Sequence, residues 1–164
     1  MYEKATGRCI RVGKMVYYIL LTSVEVEAMA VIAYNDQLRR LLADVKCVLA
    51  FDTAADFLGL TNGGYRTEAQ IFVDKRQDIK GTEQILVPSL EALECEERNG
   101  LICTTVNQTI IDLLEKNGDE QIIAESLANY YDEHNESFKG LKIPEHLQSR
   151  FEKYREWAVK YYEE

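Results

Sequence analysis

The sequence predicts an α+β protein with a small, mostly antiparallel sheet, about five helices and a helical C-terminal third. Two observations lead to this fold class. Runs of β-branched and aromatic residues, separated by Gly and Asn turn residues, fill much of the first two thirds of the chain, whereas apolar residues spaced three and four apart fill the last third. With 164 residues, 46% of them hydrophobic and 29% charged, the chain is long enough for one domain with its own core.

The N-terminal residues predict a β-hairpin followed by a long helix. Two strand-like runs, Cys9–Val12 and Met15–Leu21, lie on either side of Gly13. Ser23 is a candidate helix N-cap, and apolar residues at alternating steps of four and three then predict a helix over 24–43. The predicted domains are a hairpin over residues 1–22 and a single mixed α/β domain over residues 23–164.

The middle of the chain predicts a buried strand, a short helix and several further strands. Val45–Phe51 is a largely apolar run, and Asp52 can cap a helix over Thr53–Leu58 that Gly59 ends. An Asn-Gly pair between two β-prone runs also predicts a tight hairpin. The further strands are predicted at 68–74, 84–87, 90–96 and 101–106, with Asn99 and Gly100 at the hairpin turn.

Three helices are predicted after the last strand. Thr105 or Asn107 can cap the first helix, which stops near Gly118, and the second covers Asp119–His134. In the third helix, Pro144 takes the first-turn position, where proline is favoured. The apolar stripe of this helix consists of Leu147, Phe151, Tyr154, Ala158 and Tyr161.

The chain is acidic, with 28 acidic and 19 basic residues and a formal net charge of −9. A diffuse negative field repels nucleic-acid phosphates, so DNA binding by this chain alone is disfavoured. A basic strip near the N-terminus is the exception, although most such runs are solvated faces. The weak candidates for nucleic-acid contact are Arg8, Arg11 and Lys14, with Lys4 close to them.

The cysteines and the hydropathy pattern indicate a cytoplasmic protein. The spacing of Cys9, Cys47, Cys95 and Cys103 matches no zinc site, so we expect free thiols in a reducing compartment. The longest apolar stretch, Met15–Leu21, is much shorter than the roughly 20 residues of a membrane-spanning helix. We therefore expect no membrane segment.

Residues suited to catalysis are few. The chain has two histidines, His134 and His146, both in polar helical surroundings, and its glycines form no phosphate-binding loop pattern. We expect no catalytic residue, no metal and no cofactor, and a nuclease-like enzyme is the least favoured alternative. The nearest approach to a nuclease site is the set Asp74, Lys75, Asp78 and Lys80.

Two sequence blocks resemble those of the AbiEi-type antitoxins of abortive-infection systems. The first starts at Ala50 and reads Ala-Phe-Asp-Thr-Ala-Ala-Asp-Phe-Leu-Gly-Leu-Thr, where the family has Ser-His-Glu-Thr-Ala-Leu-x-Leu-His-Gly-Leu-Thr. The second, Val106–Leu114, is similar to the family's Glu-Arg-Thr-x-x-Asp-Leu-Leu, with Asn107 and Gln108 replacing Glu and Arg. The resemblance covers about residues 36–160. The matching residues are Asp52, in kind, Thr53, Ala54, Gly59, Leu60 and Thr61, then Thr109, Asp112, Leu113 and Leu114.

The resemblance implies a bacterial antitoxin of a toxin–antitoxin, phage-defence system, with a nucleotidyltransferase-like toxin as its partner. Family members also carry a DNA-binding winged helix in front of the α/β domain, whereas only a short stretch precedes the hairpin around Gly13. The hairpin is therefore interpreted as a wing remnant, and we expect the protein to act by protein contact. A DNA-binding transcriptional regulator is the alternative, and a homodimer is open.

The last helix carries the candidate partner-binding residues. Aromatic side chains are favoured as anchors at protein interfaces, and this helix supplies Tyr154, Trp157, Tyr161 and Tyr162. The alternative is that the apolar stripe, Tyr154 included, packs on the protein's own core. Because Trp157 and Tyr162 lie off that stripe, their exposure discriminates between the two interpretations.

Overall fold

The structure is a computed structural model. It describes the backbone of Thr6–Val12 and Met15–Leu21, and the backbone and side chains of residues 34–62, 67–116 and 118–162. The chain divides into two units, Met1–Arg40 and Leu41–Glu164. The division falls within a helix, α1, of which residues 34–42 are described.

The first unit contains the predicted hairpin. Strand β1 (Thr6–Val12) pairs with β2 (Met15–Leu21) in antiparallel register. The β-branched and aromatic residues of β2 favour extended backbone. The hairpin prediction is confirmed, and β1 begins earlier than expected. Arg8 and Arg11 belong to β1, whereas Lys4, Gly13, Lys14, Ser23 and the first part of the predicted helix, 24–33, lie outside the described residues.

In the second unit, the described residues contain a mixed five-stranded sheet in the spatial order β5-β4-β3-β7-β6. The pairs β3–β4 and β6–β7 are antiparallel, whereas β3–β7 and β4–β5 are parallel. The α+β class is therefore confirmed, and the prediction of a mostly antiparallel sheet is wrong. The strands are β3 (Val48–Leu49), β4 (Ala69–Val73), β5 (Thr82–Leu86), β6 (Cys95–Arg98) and β7 (Leu101–Thr104).

The parallel pair β4–β5 explains this difference. Its connection, residues 74–81, is described throughout and contains no helix, whereas parallel neighbours usually need a longer crossover. The side chain of Gln84 holds the connection in place. Its amide nitrogen donates to the carbonyl of Gln77 at 2.7 Å, and its Oε1 accepts from the N–H of Gln77 at 2.9 Å.

Four more helices follow the chain order of the prediction. Gly59 ends α2 in the left-handed region with φ 78, and the side chain of Asp119 caps α4 by accepting from the N–H of Gln121 at 2.9 Å. At the predicted hairpin turn, Asn99 and Gly100 have φ values of 51 and 75. The helices are α2 (Phe51–Leu58), α3 (Val106–Lys116), α4 (Glu120–Glu133) and α5 (Gln148–Val159), with 3-10 turns at Leu90–Ala92 and Glu145–Leu147.

The start of α2 differs from the prediction. Ala50, which has no polar side chain, occupies the N-cap, and Asp52 lies in the first turn instead of capping the helix. Gln70 of β4 takes over the capping role. Its Oε1 accepts from the N–H of Asp52 at 3.1 Å, and its own N–H donates to Oγ1 of Thr53 at 2.8 Å. Gln70 is fully buried, and its side chain and backbone thereby hydrogen-bond to two consecutive residues at the start of α2.

The core of the second unit contains side chains from the sheet and from the helices. One cluster of buried residues lies where β3 pairs with β4 and consists of Val48, Ala50, Phe72 and Leu90. None of the helices in the described ranges is both long enough and apolar enough to cross a membrane. The largest fully buried apolar side chains are Leu49, Leu60, Ile71, Ile110, Leu114, Ile123 and Leu127.

Candidate protein-binding surface

The last helix divides its predicted aromatic residues into a buried and an exposed group. Tyr154 is only 2% exposed, and its hydroxyl donates to Oε1 of Glu120 at 2.9 Å. Trp157 and Tyr162 are 43% and 52% exposed, and Tyr161 is half-buried. Tyr154 therefore packs in the core, as the alternative interpretation of the stripe had it. Trp157 and Tyr162 lie on the surface, where a partner can reach them.

Helix α5 is fixed to the start of α4 by one carboxylate. Oε1 of Glu120 accepts from Nζ of Lys153 at 2.6 Å as well as from the hydroxyl of Tyr154. These two hydrogen bonds and the charge of Lys153 lower the pKa of Glu120. The exposed aromatic residues consequently stand at the end of a helix whose position is set by side-chain contacts.

Three aromatic rings form what we call the C-terminal aromatic surface: Trp157, Tyr161 and Tyr162. The rings of Trp157 and Tyr161 lie 6.4 Å apart, and Tyr161 meets Tyr162 edge to face at 5.1 Å. Such tilted and edge-to-face pairs are the arrangements that aromatic quadrupoles favour. Each ring thus limits the movement of the next, and the surface presents a continuous aromatic area.

Hydrogen bonds join this surface to the first motif block. The hydroxyl of Tyr162 donates to Oδ1 of Asn129 at 2.6 Å, and Nδ2 of Asn129 donates to the carbonyl of Leu60 at 2.9 Å. The N–H of Asn62 donates to Oε1 of Glu125 at 3.0 Å. The Gly59–Asn62 turn, helix α4 and the C-terminal aromatic surface are therefore one connected region.

The remaining residues of the first block are structural. Thr53, Ala54 and Leu60 are buried, and Oγ1 of Thr61 donates to the carboxylate of Asp56. Gly59 supplies the left-handed conformation that ends α2, and the N–H of Leu60 then donates to the carbonyl of Ala55 at 2.8 Å. The block builds a tightly closed helix end, which positions the Leu60 carbonyl for Asn129.

The second block is organised by short-range hydrogen bonds. Thr105 caps α3, since its Oγ1 accepts from the N–H of Gln108 at 3.3 Å, and the hydroxyls of Thr104 and Thr109 lie 2.7 Å apart. Thr109 also donates to the carbonyl of Thr104 at 3.3 Å. Asn107 does not cap the helix; its Oδ1 accepts from the N–H of Lys142 at 2.7 Å.

Asp112 is a buried carboxylate within the second block. One of its oxygens accepts from Nε2 of Gln108 at 2.7 Å, whereas Oδ2 is buried without a hydrogen-bond partner among the described residues. Burial raises the pKa of Asp112 to about 6, although the Gln108 hydrogen bond opposes the rise. Gln108 therefore offers this carboxylate a neutral amide and not a positive charge.

The remaining candidate residues are three basic residues of the first unit and the two histidines. The structure describes the backbone of Arg8 and Arg11 in β1, and Lys14 is outside the described residues. His134 lies 2.8 Å from the carbonyl of Tyr130, and His146 lies 3.3 Å from a Glu115 oxygen. Among the described side chains, no three of His, Cys, Asp or Glu come together as metal ligands.

The cysteines with described side chains are free thiols. Burial raises the pKa of Cys47 and Cys103 to about 11 and also raises that of Cys95. The thiolate is the nucleophilic form of cysteine, so these thiols are poorly reactive at neutral pH.

The polar residues that hold the surface together were not among the predicted site residues. Asn129 and Glu125 contact a turn that is far away along the chain, and Gln70 acts on a helix from a neighbouring strand. The sequence signal that could have identified them is a polar residue at a position predicted to be buried, on the inner side of an amphipathic helix or inside a strand.

Comparisons of the chain with protein-family models, with curated proteins and with solved structures found no match.

Proposed function

We propose that this protein is an antitoxin-like binding protein of a toxin–antitoxin, phage-defence system and holds its partner through the C-terminal aromatic surface. The observation that carries the proposal is the exposure of Trp157 and Tyr162, whose rings both contact the ring of Tyr161 near the end of α5. The two blocks that resemble AbiEi-type antitoxins support the antitoxin class. A nucleotidyltransferase-like toxin in the cytoplasm is the partner that this resemblance implies.

The geometry of the surface suits binding by preformed anchors. Trp and Tyr dominate the energetics of protein interfaces, and truncation of a central anchor typically costs about 2 kcal/mol or more. The hydroxyl of Tyr162 is already held by Asn129, and its ring by Tyr161. Little side-chain entropy is then lost on binding, which favours affinity.

The test is an affinity pull-down of the tagged full chain from its native cell, at low and high salt, with identification of protein and DNA. We expect a nucleotidyltransferase-like protein to be recovered at both salt concentrations. The double variant Trp157→Ala/Tyr162→Ala should weaken binding of that purified partner by about a thousandfold, because two anchors of about 2 kcal/mol each are lost.

Leu86→Ala is the matched control for this experiment. Leu86 is 51% exposed on β5 and belongs to no part of the aromatic surface, so its removal should leave partner binding unchanged. Equal loss with the control, or full binding by the double variant, contradicts the proposed surface. Failure to recover any nucleotidyltransferase-like protein contradicts the antitoxin class.

A DNA-binding transcriptional regulator is the second candidate, and the β1–β2 hairpin favours it. Antiparallel hairpins serve as wings in winged-helix proteins, and Arg8 and Arg11 lie in the first strand of this one. Recovery of salt-sensitive DNA without protein would favour this function. In that case, Arg11→Ala and Lys14→Ala should each weaken DNA binding and reduce its dependence on salt concentration.

A further inference from the structure

We infer that a second surface of this protein, an apolar groove in the second unit, binds a cationic amphipathic segment of a partner protein. The groove has a volume of about 580 Å³ and is separate from the residues of the C-terminal aromatic surface. It lies between the chain segment that leads into β3, the 3-10 turn Leu90–Ala92 and the start of β7. The main apolar residues that line it are Leu42, Val45, Val48, Leu90, Leu93 and Ile102.

The groove exists because the central strands of the sheet pair over a short length. Among the described residues, β3 and β7 share the single pair Leu49 with Cys103. Before this pair, the segment leading into β3 and residues 100–102 border an open space. Val48 and Leu90 form its buried floor, and Ile102 stands at its side with 48% of its surface exposed.

The charges around the groove determine the chemistry of the occupant. Four exposed carboxylates flank or face its lining: Asp44 beside Val45, Glu91 in the lining itself, Glu94 beside Leu93, and Glu97 opposite Ile102 in the β6–β7 pair. Within the described part of the chain, no ion pair involves any of these four carboxylates.

Two cations of the second unit that adjoin the groove are already paired. Nζ of Lys46, a lining residue, lies 3.2 Å from an Asp74 oxygen, and the guanidinium of Arg98 lies 2.9 Å from a Glu96 oxygen. Among the described residues of the second unit, the negative charge around the apolar floor of the groove is therefore uncompensated. Proteins associate preferentially when the positive potential of one partner faces the negative potential of the other. The occupant therefore carries Lys or Arg beside apolar side chains. A second copy of this acidic chain, with net charge −9, fits this field poorly.

The experiment measures fluorescence anisotropy of a labelled amphipathic Leu/Lys peptide titrated with the full chain, at low and high salt. A Leu/Glu peptide of the same pattern is the comparison. We expect saturable binding of the Leu/Lys peptide, weaker binding at high salt and no binding of the Leu/Glu peptide. Ile102→Asp should weaken Leu/Lys binding by at least about tenfold, because the apolar contact is lost.

Leu86→Asp is the matched control, because Leu86 and Ile102 are exposed to nearly the same extent, 51% and 48%. Both variants add one negative charge, so a purely electrostatic attraction of the peptide would be strengthened equally by the two. The double variant Glu91→Lys/Glu97→Lys changes exposed positions only and should abolish the salt dependence. This double variant still tests the inference if the Ile102→Asp variant does not fold.

Three outcomes overturn the inference: equal Leu/Lys affinity of the Ile102→Asp and Leu86→Asp variants, binding of the Leu/Glu peptide, or self-association that Ile102→Asp abolishes. The last would mean that a second copy fills the groove. Trp157→Ala/Tyr162→Ala should leave peptide binding unchanged, so this groove and the proposed antitoxin surface succeed or fail independently.

Discussion

Helices α2 and α3 start in opposite ways. In the first turn of α2, a backbone N–H is hydrogen-bonded by a side chain of strand β4: Oε1 of Gln70 accepts from the N–H of Asp52 at 3.1 Å. In the first turn of α3, the backbone N–H of Gln108 is hydrogen-bonded by Thr105, the residue that directly precedes the helix. Helix α3 can therefore form its first turn locally, whereas α2 needs β4 in place.

The start of α2 also holds an unfavourable backbone conformation. Phe51 has φ 49, in the left-handed region that costs a bulky residue roughly 1–2 kcal/mol. Contacts on its ring compensate for this cost: the ring lies 5.2 Å from that of Phe72 and 4.5 Å from Nζ of Lys116. Tertiary packing therefore fixes both the hydrogen bonds and the dihedral angles at this helix end.

The largest effect is expected from breaking the tertiary cap. Gln70→Ala leaves the buried N–H of Asp52 without its acceptor and removes the 2.6 Å hydrogen bond to Glu83. We expect the free energy of unfolding, measured by urea denaturation, to fall by about 4 kcal/mol. Gln37→Ala, at an exposed position of α1, should cost clearly less. An equal loss in the two variants would remove the special role of Gln70.

The next effect concerns the buried carboxylate of α3. The pKa of Asp112 is raised from 3.8 to about 6, so between these pH values the folded protein holds a proton that the unfolded chain has released. The free energy of unfolding should therefore fall by about 3 kcal/mol as pH rises from about 4 through 6, and no further above that range.

Urea denaturation across this pH range checks the prediction. In Asp112→Asn the oxygen that accepts from Gln108 is kept and the titration is lost, so the decrease with pH should become smaller by that amount. Asp78→Asn, at an exposed position, should keep the wild-type slope. Identical slopes in all three proteins would show that Asp112 titrates normally.

The smallest effect is expected at the local cap of α3. Thr105→Ala removes one hydrogen bond to the N–H of Gln108 and should lower the free energy of unfolding by about 1 kcal/mol. Thr105→Ser keeps the hydroxyl and should retain most of the stability. A loss at Thr105 as large as that at Gln70 would mean that the two helix starts are equally dependent on tertiary structure.

Features of the fold that depend on neighbouring residues are predictable from the sequence, whereas those that depend on distant residues are not. The end of α2 at Gly59, the extent of α4 and the Asn99-Gly100 turn are predicted correctly, because each depends on residues adjacent in sequence. The sequence pattern predicts Asp52 as the cap of α2, because no local pattern points to Gln70. Sheet direction was missed for the same reason, since the Gln84 side chain takes the place of a crossover helix.

The candidate surface was predictable in part. Helical spacing separated Trp157 and Tyr162 from the stripe of Leu147, Phe151 and Ala158, which is buried. Spacing could not show that Asn129 links Tyr162 to the Leu60 carbonyl, because that link joins three distant parts of the chain. The groove beside Ile102 arises because β3 and β7 pair only at Leu49 and Cys103 among the described residues. The extent of this pairing depends on tertiary structure alone.

The two-residue strand β3 has a consequence for the order of folding. It connects two ribbons, β4–β5 within residues 69–86 and β6–β7 within residues 95–104, each of which forms from contacts close in sequence. Closing short loops is fast, whereas pairing distant segments is slow. We expect the ribbons to assemble early and β3 to dock between them late, so amide hydrogens at this seam should exchange before those inside either ribbon.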